Sequence, residues 1–97
     1  MERIAVCPGS FDPVTLGHLD IFSRASNLFD RVIVLVSKNM MKSHESFTPQ
    51  ERKDMILRVT KNLPNLEVDI FGGLLADYVN DAGAIAIVKG LRAVSDF

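Results

Sequence analysis

Apolar runs of strand length alternate with stretches of helical periodicity along the whole chain. Four short runs are rich in apolar residues, and turn-forming or charged residues separate them. They cover residues 4–7, 32–36, 66–71 and 84–88. The second and fourth runs are apolar at every position, which predicts strands that are buried on both faces. The third run alternates apolar and polar residues, which predicts a half-exposed strand.

Three stretches between these runs carry apolar residues at helical spacing. The predicted helices cover about residues 17–29, residues 49 to just before Pro64, and residues 74–82. Their predicted inward residues are Ile21, Phe22, Ala25, Leu28 and Phe29, then Met55, Ile56, Val59 and Leu63, then Leu75, Tyr78 and Val79. The second helix has the clearest start, because Thr48-Pro49-Gln50-Glu51 is a capping box with proline in the first turn. Gly83 is predicted to cap the third helix.

The order β-α-β-α-β-α-β predicts an α/β fold, with one open parallel sheet and right-handed crossover helices. Ninety-seven residues suffice for one domain, so residues 1–97 are predicted to form a single unit. Four strands and three helices leave apolar faces uncovered, and a new helical pattern begins just before Phe97. We therefore expect that a further C-terminal part, or a partner chain, covers those faces.

Composition and charge narrow the classes of function. Hydrophobic residues make up 47% and charged residues 24%, which is typical of a globular chain and excludes intrinsic disorder. The net charge of -1 provides no global positive field for nucleic acid or an anionic membrane. No apolar run is long enough to cross a bilayer, and the first residues lack a signal-peptide pattern. A single cysteine, Cys7, allows no internal disulfide, so we expect a cytoplasmic protein.

The loop between the first strand and the first helix carries candidate functional residues. In open α/β sheets, functional groups lie beyond the carboxyl ends of the strands. Gly9 is expected to allow a sharp turn and a close approach of backbone N–H groups to a ligand, and Ser10 adds a hydroxyl. Gly17 and His18 fall in the first helical turn, where unpaired N–H groups and the helix dipole attract phosphate. A histidine there can donate to a phosphoryl oxygen as charge develops in a transition state.

Two segments of the chain resemble motifs of a known family. The first strand-end loop reads Gly9-Ser10-Phe11-Asp12-Pro13 and then Thr15-Leu16-Gly17-His18. This resembles the G-[ST]-F-D-P-x-[TH]-x-G-H signature of the nucleotidyltransferase superfamily. Residues 89–97, KGLRAVSDF, are similar to the [RK]-G-L-R-A-x-x-D-F segment of bacterial phosphopantetheine adenylyltransferases. The resemblance covers nearly all 97 residues, but only the N-terminal part of that family's usual chain.

The resemblance implies a Rossmann-like fold and transfer of AMP from ATP to 4′-phosphopantetheine, giving dephospho-coenzyme A and pyrophosphate. The substrate phosphate would attack the α-phosphorus of ATP in line, without a covalent enzyme intermediate. Magnesium would accompany ATP and shield its phosphates without a dedicated protein cage. The implied partners are ATP, 4′-phosphopantetheine, dephospho-coenzyme A or coenzyme A, and further copies of the chain in a homohexamer.

The resemblance also assigns roles to individual residues. The implied ATP-binding residues are Ser10, Phe11, His18, Gly90, Leu91 and Arg92. The implied residues for 4′-phosphopantetheine are Ser10, Lys42, Leu75 and Lys89. His18 is implied to stabilise the transition state at the α-phosphate. Lys38 is the alternative to Lys42, because the loop between the second strand and Phe47 is one residue longer than in some relatives. Lys89 stands where arginine is common, which keeps the charge but loses the bidentate fork.

Several alternatives stay open from the sequence. Another small nucleotidyltransferase, using CTP or making a dinucleotide, would share the first loop, although residues 89–97 argue against it. A catalytically silent nucleotide-binding module is the other alternative, because the family's later acidic ATP contact and serine-rich loop lie beyond Phe97. Two nearby residues are given structural roles: Asp12 is expected to cap local N–H groups in a turn, and Cys7 to be a small core residue.

Overall fold

The computed structural model describes residues 1–38 and 47–89, and residues 39–46 and 90–97 lie outside the described part. Its strands are β1 (Ile4–Gly9), β2 (Arg31–Ser37), β3 (Leu66–Phe71) and β4 (Ala86–Ile87). Its helices are α1 (Leu16–Leu28), α2 (Pro49–Val59) and α3 (Leu75–Ala82). Strands and helices alternate in the predicted order, and every strand pair is parallel. The predicted α/β class is therefore confirmed.

The strand order is β3-β2-β1-β4, so the two most apolar long strands lie in the centre of the sheet. The chain moves outward from β1 to β3 and then crosses back to β4 on the other side of β1. In the parallel register Gly9 lies beside Val36, and Ser37 lies beside Phe71. The carboxyl ends of three strands therefore meet at one edge of the sheet, where ligands bind in such folds.

After β3 the chain returns past β1, so the direction in which strands are added to the sheet reverses. This reversal places the helices on opposite faces of the sheet. α1 and α2 cover one side, which we call the two-helix face, and α3 covers the other, the one-helix face. On the two-helix face, Phe22, Ala25 and Ile56 are buried against the sheet. On the one-helix face, Leu75, Tyr78 and Val79 pack against a smaller buried cluster but are themselves only half-buried. These three residues have the inward orientation that the sequence predicts.

Burial of the strands agrees with the sequence for β2 and β3 and differs for β4. Residues 32–36 of β2 are all buried, and β3 alternates as predicted. The expectation of a fourth strand over residues 84–88 that is buried on both faces is wrong. Ala86 and Ile87 pair with β1, and the backbone N–H groups of Ile85 and Val88 also donate to β1 carbonyls over 2.8 Å. However, Ile85 and Ile87 are 60% and 42% exposed. β4 lies at the edge of the sheet among the described residues, so nothing there covers its outer side.

The helix ends follow the predicted caps, with two errors in the apolar stripes. Thr48 caps α2 with Glu51 in a capping box, and Gly83 caps α3 with a left-handed φ of 71°. Leu28 and Val59 are exposed, so their predicted inward orientation is wrong. Each is the last residue of its helix, and the following apolar residues, Phe29 and Leu63, pack against the core instead. α2 also ends earlier than predicted, at Val59. None of the described helices is long and apolar enough to span a membrane.

Candidate active site

The loop from β1 to α1 has a strained backbone at Phe11. The φ angle of Phe11 is 49°, a left-handed conformation that costs a non-glycine residue on the order of 1–3 kcal/mol. The sequence suggested Gly9 as the source of the sharp turn, and this is wrong, because the positive φ belongs to Phe11. Gly9 is needed for space instead. A Cβ at Gly9 would lie 2.8 Å from Cζ of Phe11, whose ring covers the end of β1.

The buried ring of Phe11 orients His18. Its centroid lies 4.9 Å from the imidazole of His18 in an edge-on arrangement and 5.5 Å from the ring of Phe22. Only 5% of Phe11 is exposed. Since Phe22 belongs to the core beneath α1, the imidazole rests on two aromatic rings that packing holds in place.

Hydrogen bonds at the start of α1 determine which nitrogen of His18 carries a proton. Thr15 is the N-cap, and its backbone N–H donates to Nδ1 of His18 over 2.9 Å. An Nδ1 atom that accepts this bond has no hydrogen, so we assign the proton of the neutral ring to Nε2. Burial lowers the pKa of His18, which favours the neutral form. His18 therefore offers an Nε2–H donor on an imidazole held at a helix N-terminus.

A cavity of about 410 Å³ opens beside this donor on the two-helix face. Its lining residues are Cys7, Pro8, Gly9, Ser10, Phe11, Asp12, Pro13, His18, Ile21, Phe22 and Val88. The structure thus brings together Ser10, Phe11 and His18, the described members of the predicted ATP-binding set. Cys7 also lies at this wall, and burial raises the pKa of its thiol to about 11, as suits an unreactive core residue.

A smaller recess of about 110 Å³ lies on the one-helix face. Its lining residues are Pro8, Gly9, Leu35, Ser37, Phe71, Gly73 and Leu75. Pro8 and Gly9 line both spaces, so the end of β1 forms the wall between them. Leu75, predicted to contact 4′-phosphopantetheine, lies in this recess. Of the predicted substrate residues, Ser10 therefore lies in the larger cavity and Leu75 in the smaller recess.

Tyr78 links α3 to β3 beside the smaller recess. Its hydroxyl donates to Oδ2 of Asp69 over 2.8 Å, and its ring packs edge-on against Phe71 with a centroid distance of 5.0 Å. Burial and the carboxylate of Asp69 raise the pKa of Tyr78, so the hydroxyl keeps its proton. Tyr78 thereby supports Phe71, which lines the recess.

The two described cations of the predicted site, Lys38 and Lys89, each directly follow a residue that lines one of these spaces. The backbone N–H of Lys38 donates to the carbonyl of Phe71 over 3.0 Å, and its side-chain stem lies against Gly72, near the smaller recess. Lys89 is exposed and directly follows Val88, which lines the larger cavity. Four other predicted site residues lie outside the described residues: Lys42, Gly90, Leu91 and Arg92.

Two contacts between the β1–α1 loop and α2 were not found from the sequence. Nη1 of Arg52 donates to the carbonyl of Ser10 over 2.6 Å, and Arg52 is completely buried. Asp12, expected to cap local N–H groups, accepts a hydrogen bond from the backbone of Phe47 over 3.1 Å. One feature of the sequence could have indicated that Arg52 is buried: it lies one helical turn before Ile56, on the apolar stripe of α2. Over residues 1–38 and 47–89, no group of three metal-ligating side chains occurs.

Comparison with known proteins agrees with this arrangement. A family model described as cytidylyltransferase-like matches residues 6–97. Proteins named phosphopantetheine adenylyltransferase from Caldanaerobacter subterraneus subsp. tengcongensis and Bdellovibrio bacteriovorus are 55% identical over 95 residues and 54% identical over 97 residues. The alignments cover 98% and 100% of this chain but 59% and 60% of those proteins. The chain therefore spans about three fifths of the length of these relatives.

A solved structure with low identity shares the fold. The bifunctional NMN adenylyltransferase/ADP ribose pyrophosphatase of Francisella tularensis, complexed with AMP and a Mn ion, matches with a TM-score of 0.69 and 20% identity. The match covers 92% of this chain and 32% of that chain. It supports the Rossmann-like architecture, and the identity to the adenylyltransferases confirms the resemblance of the two motifs. By its fold and by the match over residues 6–97, the chain belongs to the cytidylyltransferase-like family.

Proposed function

We propose that the protein to which these residues belong transfers AMP from ATP to 4′-phosphopantetheine, giving dephospho-coenzyme A and pyrophosphate. The observation that carries this proposal is the pair of spaces that share the wall at Gly9. Adenylyl transfer needs two substrates to meet at one phosphorus atom, and the end of β1 borders both spaces. The names of the relatives support the choice of substrates.

ATP would occupy the larger cavity. Its volume of about 410 Å³ suits a nucleotide-sized ligand, and its wall offers the backbone at Phe11, the hydroxyl of Ser10 and the imidazole of His18. The N-terminus of α1 adds unpaired N–H groups and a positive dipole end near the phosphates. Gly90, Leu91 and Arg92 would complete this site.

The pantetheine arm of the second substrate would lie in the smaller recess. The side chains of Leu75 and Phe71 give it an apolar surface, and the ring of Phe71 lies over Gly73. The phosphate of this substrate would reach over the end of β1 toward Ser10. Lys89 and either Lys38 or Lys42 would supply positive charge for it.

The reaction would be an in-line displacement at the α-phosphorus of ATP. A phosphate oxygen of 4′-phosphopantetheine forms the new P–O bond while the bond to pyrophosphate breaks, and no enzyme group becomes covalently attached. Nε2–H of His18 would donate to a non-bridging oxygen as its negative charge grows. Magnesium would arrive as part of the ATP substrate. The magnesium requirement, the cytoplasmic location, the homohexamer and the lack of nucleic-acid binding stay predictions.

Replacing His18 tests this assignment in the longest natural chain that contains residues 1–97. We expect His18→Ala to lower turnover in a pyrophosphate-release assay by about 1,000-fold, because a transition-state donor is lost. The KM for ATP should change much less. Asn27→Ala, an exposed change near the end of the same helix, is the matched control and should leave both constants unchanged.

Three results would contradict the proposal. Equal losses in turnover and ATP affinity would remove the special role of His18. Faster pyrophosphate release with CTP than with ATP would favour another nucleotidyltransferase. Binding of ATP and coenzyme A without any pyrophosphate release would favour the silent nucleotide-binding module.

A further inference from the structure

A buried arginine outside both spaces holds the loop that carries the proposed site. Arg52 lies one turn into α2, is 0% exposed, and donates from Nη1 to the carbonyl of Ser10 over 2.6 Å. It lines neither the larger cavity nor the smaller recess. A buried charge is a poor source of stability, because its desolvation offsets much of what its contacts contribute. A leucine or methionine at this position could fill the same core volume at less cost.

The hydrogen bond from Arg52 acts on the strained residue of the loop. The carbonyl of Ser10 belongs to the peptide group that precedes Phe11, so holding this oxygen fixes the plane from which φ of Phe11 is measured. That φ is 49°, and a strained conformation of this kind persists only where its surroundings enforce it. The plane of this peptide and φ of Phe11 together direct its ring toward His18, 4.9 Å away.

A second contact anchors the other side of the same residue. The backbone N–H of Phe47, which precedes the N-cap of α2, donates to Oδ1 of Asp12 over 3.1 Å. The residues before and after Phe11 are therefore both tied to the start of α2. This helix contributes no side chain to the larger cavity, yet it holds the loop that shapes the cavity.

We propose that Arg52 is a positioning residue for His18. It fixes the peptide of Ser10, holds Phe11 in its left-handed conformation, and so keeps the imidazole in the orientation that presents Nε2–H to the larger cavity. The expected effect of Arg52 on turnover rests on the function proposed above. The expected effect of Arg52 on the orientation of His18 is independent of that function.

Two variants of Arg52 test the proposal in the longest natural chain that contains residues 1–97. Arg52→Lys keeps the charge and loses the planar fork, whereas Arg52→Met keeps only the apolar stem. We expect turnover to fall by about 100-fold in both, since a small displacement of a catalytic group costs about that much. The KM for ATP should change by less than about threefold, because transition-state contacts are lost rather than ground-state ones. Arg58→Met, an exposed change in the last turn of α2, is the matched control and should leave turnover unchanged.

The nitrogen NMR signals of His18 report its orientation independently of activity. In the wild-type chain and in Arg58→Met, we expect the two ring nitrogens to show a neutral tautomer protonated at Nε2. In Arg52→Lys, both signals should move toward the averaged values of a mixture of tautomers. Unchanged signals and unchanged turnover in a folded Arg52→Lys variant would overturn the proposal.

Two further outcomes are distinguishable. If Arg52→Met does not fold, the proposal is tested by Arg52→Lys and by the NMR signals of the Arg52 guanidinium in the wild-type chain. Separate, slowly exchanging Nη–H signals of Arg52 support the bond to Ser10, and a single averaged signal overturns it. If the wild-type chain releases no pyrophosphate but the His18 signals move in Arg52→Lys, the positioning role stands and the proposed function fails.

Discussion

The two faces of the sheet differ in how deeply their helices are buried. On the two-helix face, Phe22, Arg52 and Ile56 are almost completely buried, and Phe22 also lines the larger cavity. On the one-helix face, α3 has no fully buried residue, and a hydrogen bond from Tyr78 to Asp69 ties it to the edge strand. The imidazole donor therefore lies on the tightly packed face, and the shallow apolar recess lies on the loosely packed one.

This difference fits what each face is proposed to do. A hydrogen-bond donor that stabilises developing charge must be held within about half an ångström of its productive position. Burial of an apolar arm is far less directional, because the hydrophobic effect depends mainly on area. The loosely packed recess can therefore adapt to its ligand, whereas the donor must be fixed before the ligand arrives. Substitutions that compare the faces directly test this view.

The largest expected difference comes from removing one aromatic ring from each face. Phe22→Ala should lower the free energy of unfolding by about 3–5 kcal/mol, because a fully buried ring leaves a cavity. Tyr78→Ala should cost about half of that or less, since Tyr78 is only half-buried and transfers less area to water. Urea denaturation of both variants measures the two losses. Equal losses would mean that the one-helix face is packed as firmly as the other.

A smaller difference is expected where a glycine lies beneath an aromatic ring on each face. A Cβ at Gly9 would lie 2.8 Å from Cζ of Phe11, and one at Gly73 would lie 2.7 Å from Cζ of Phe71. Phe11 is buried, so its ring can shift only by straining its neighbours, and Gly9→Ala should cost about 1–3 kcal/mol of stability. Half-buried Phe71 can swing toward solvent, so Gly73→Ala should cost less.

The control for this pair is Gly17→Ala. A Cβ at Gly17 would have an ordinary contact, 3.7 Å from Oγ1 of Thr15, so this variant should be at least as stable as the wild type. Gly9→Ala should also change the NMR signals of His18, because the ring of Phe11 is displaced against it. A greater loss of stability in Gly73→Ala than in Gly9→Ala would mean that the one-helix face is the more tightly packed of the two.

The sequence predicts the fold well because local patterns and tertiary structure agree over most of the chain. The apolar run of β2 can only be buried, and the caps at Thr48 and Gly83 depend on neighbouring residues alone. The prediction that β4 is buried on both faces is wrong because an apolar run does not reveal whether a strand is central or at an edge. Its position depends on which strands pair, a long-range property that periodicity cannot report.

The candidate site divides in the same way. The motif predicts that Ser10 lies in the loop and His18 in the first turn of α1, and both line the larger cavity. The resemblance singles out Leu75, which lines the smaller recess, and the roles of all three stay predictions. The left-handed Phe11 and the buried Arg52 are not predictable from local pattern, because each depends on a partner distant in sequence. A charge on an apolar stripe is the one signal that could have singled out Arg52.

The smallest expected effect is a dependence of stability on pH that belongs to the two-helix face. Burial lowers the pKa of His18, and protonating Nδ1 would also break the bond from the backbone N–H of Thr15. As pH falls below about 6.5, the unfolded chain therefore takes up a proton on this residue before the folded chain does, which favours unfolding. The stabilising contribution is fully present at pH 7.5 and is lost progressively on acidification.

His18→Asn should remove this pH-dependent contribution, so the variant should lose less stability than the wild type between pH 7.5 and 5.5 in urea denaturation. All other ionisable groups are common to both proteins, so comparing the two pH profiles isolates the contribution of residue 18. Parallel pH profiles would show that the packing around Phe11 leaves the imidazole as solvated as in the unfolded chain.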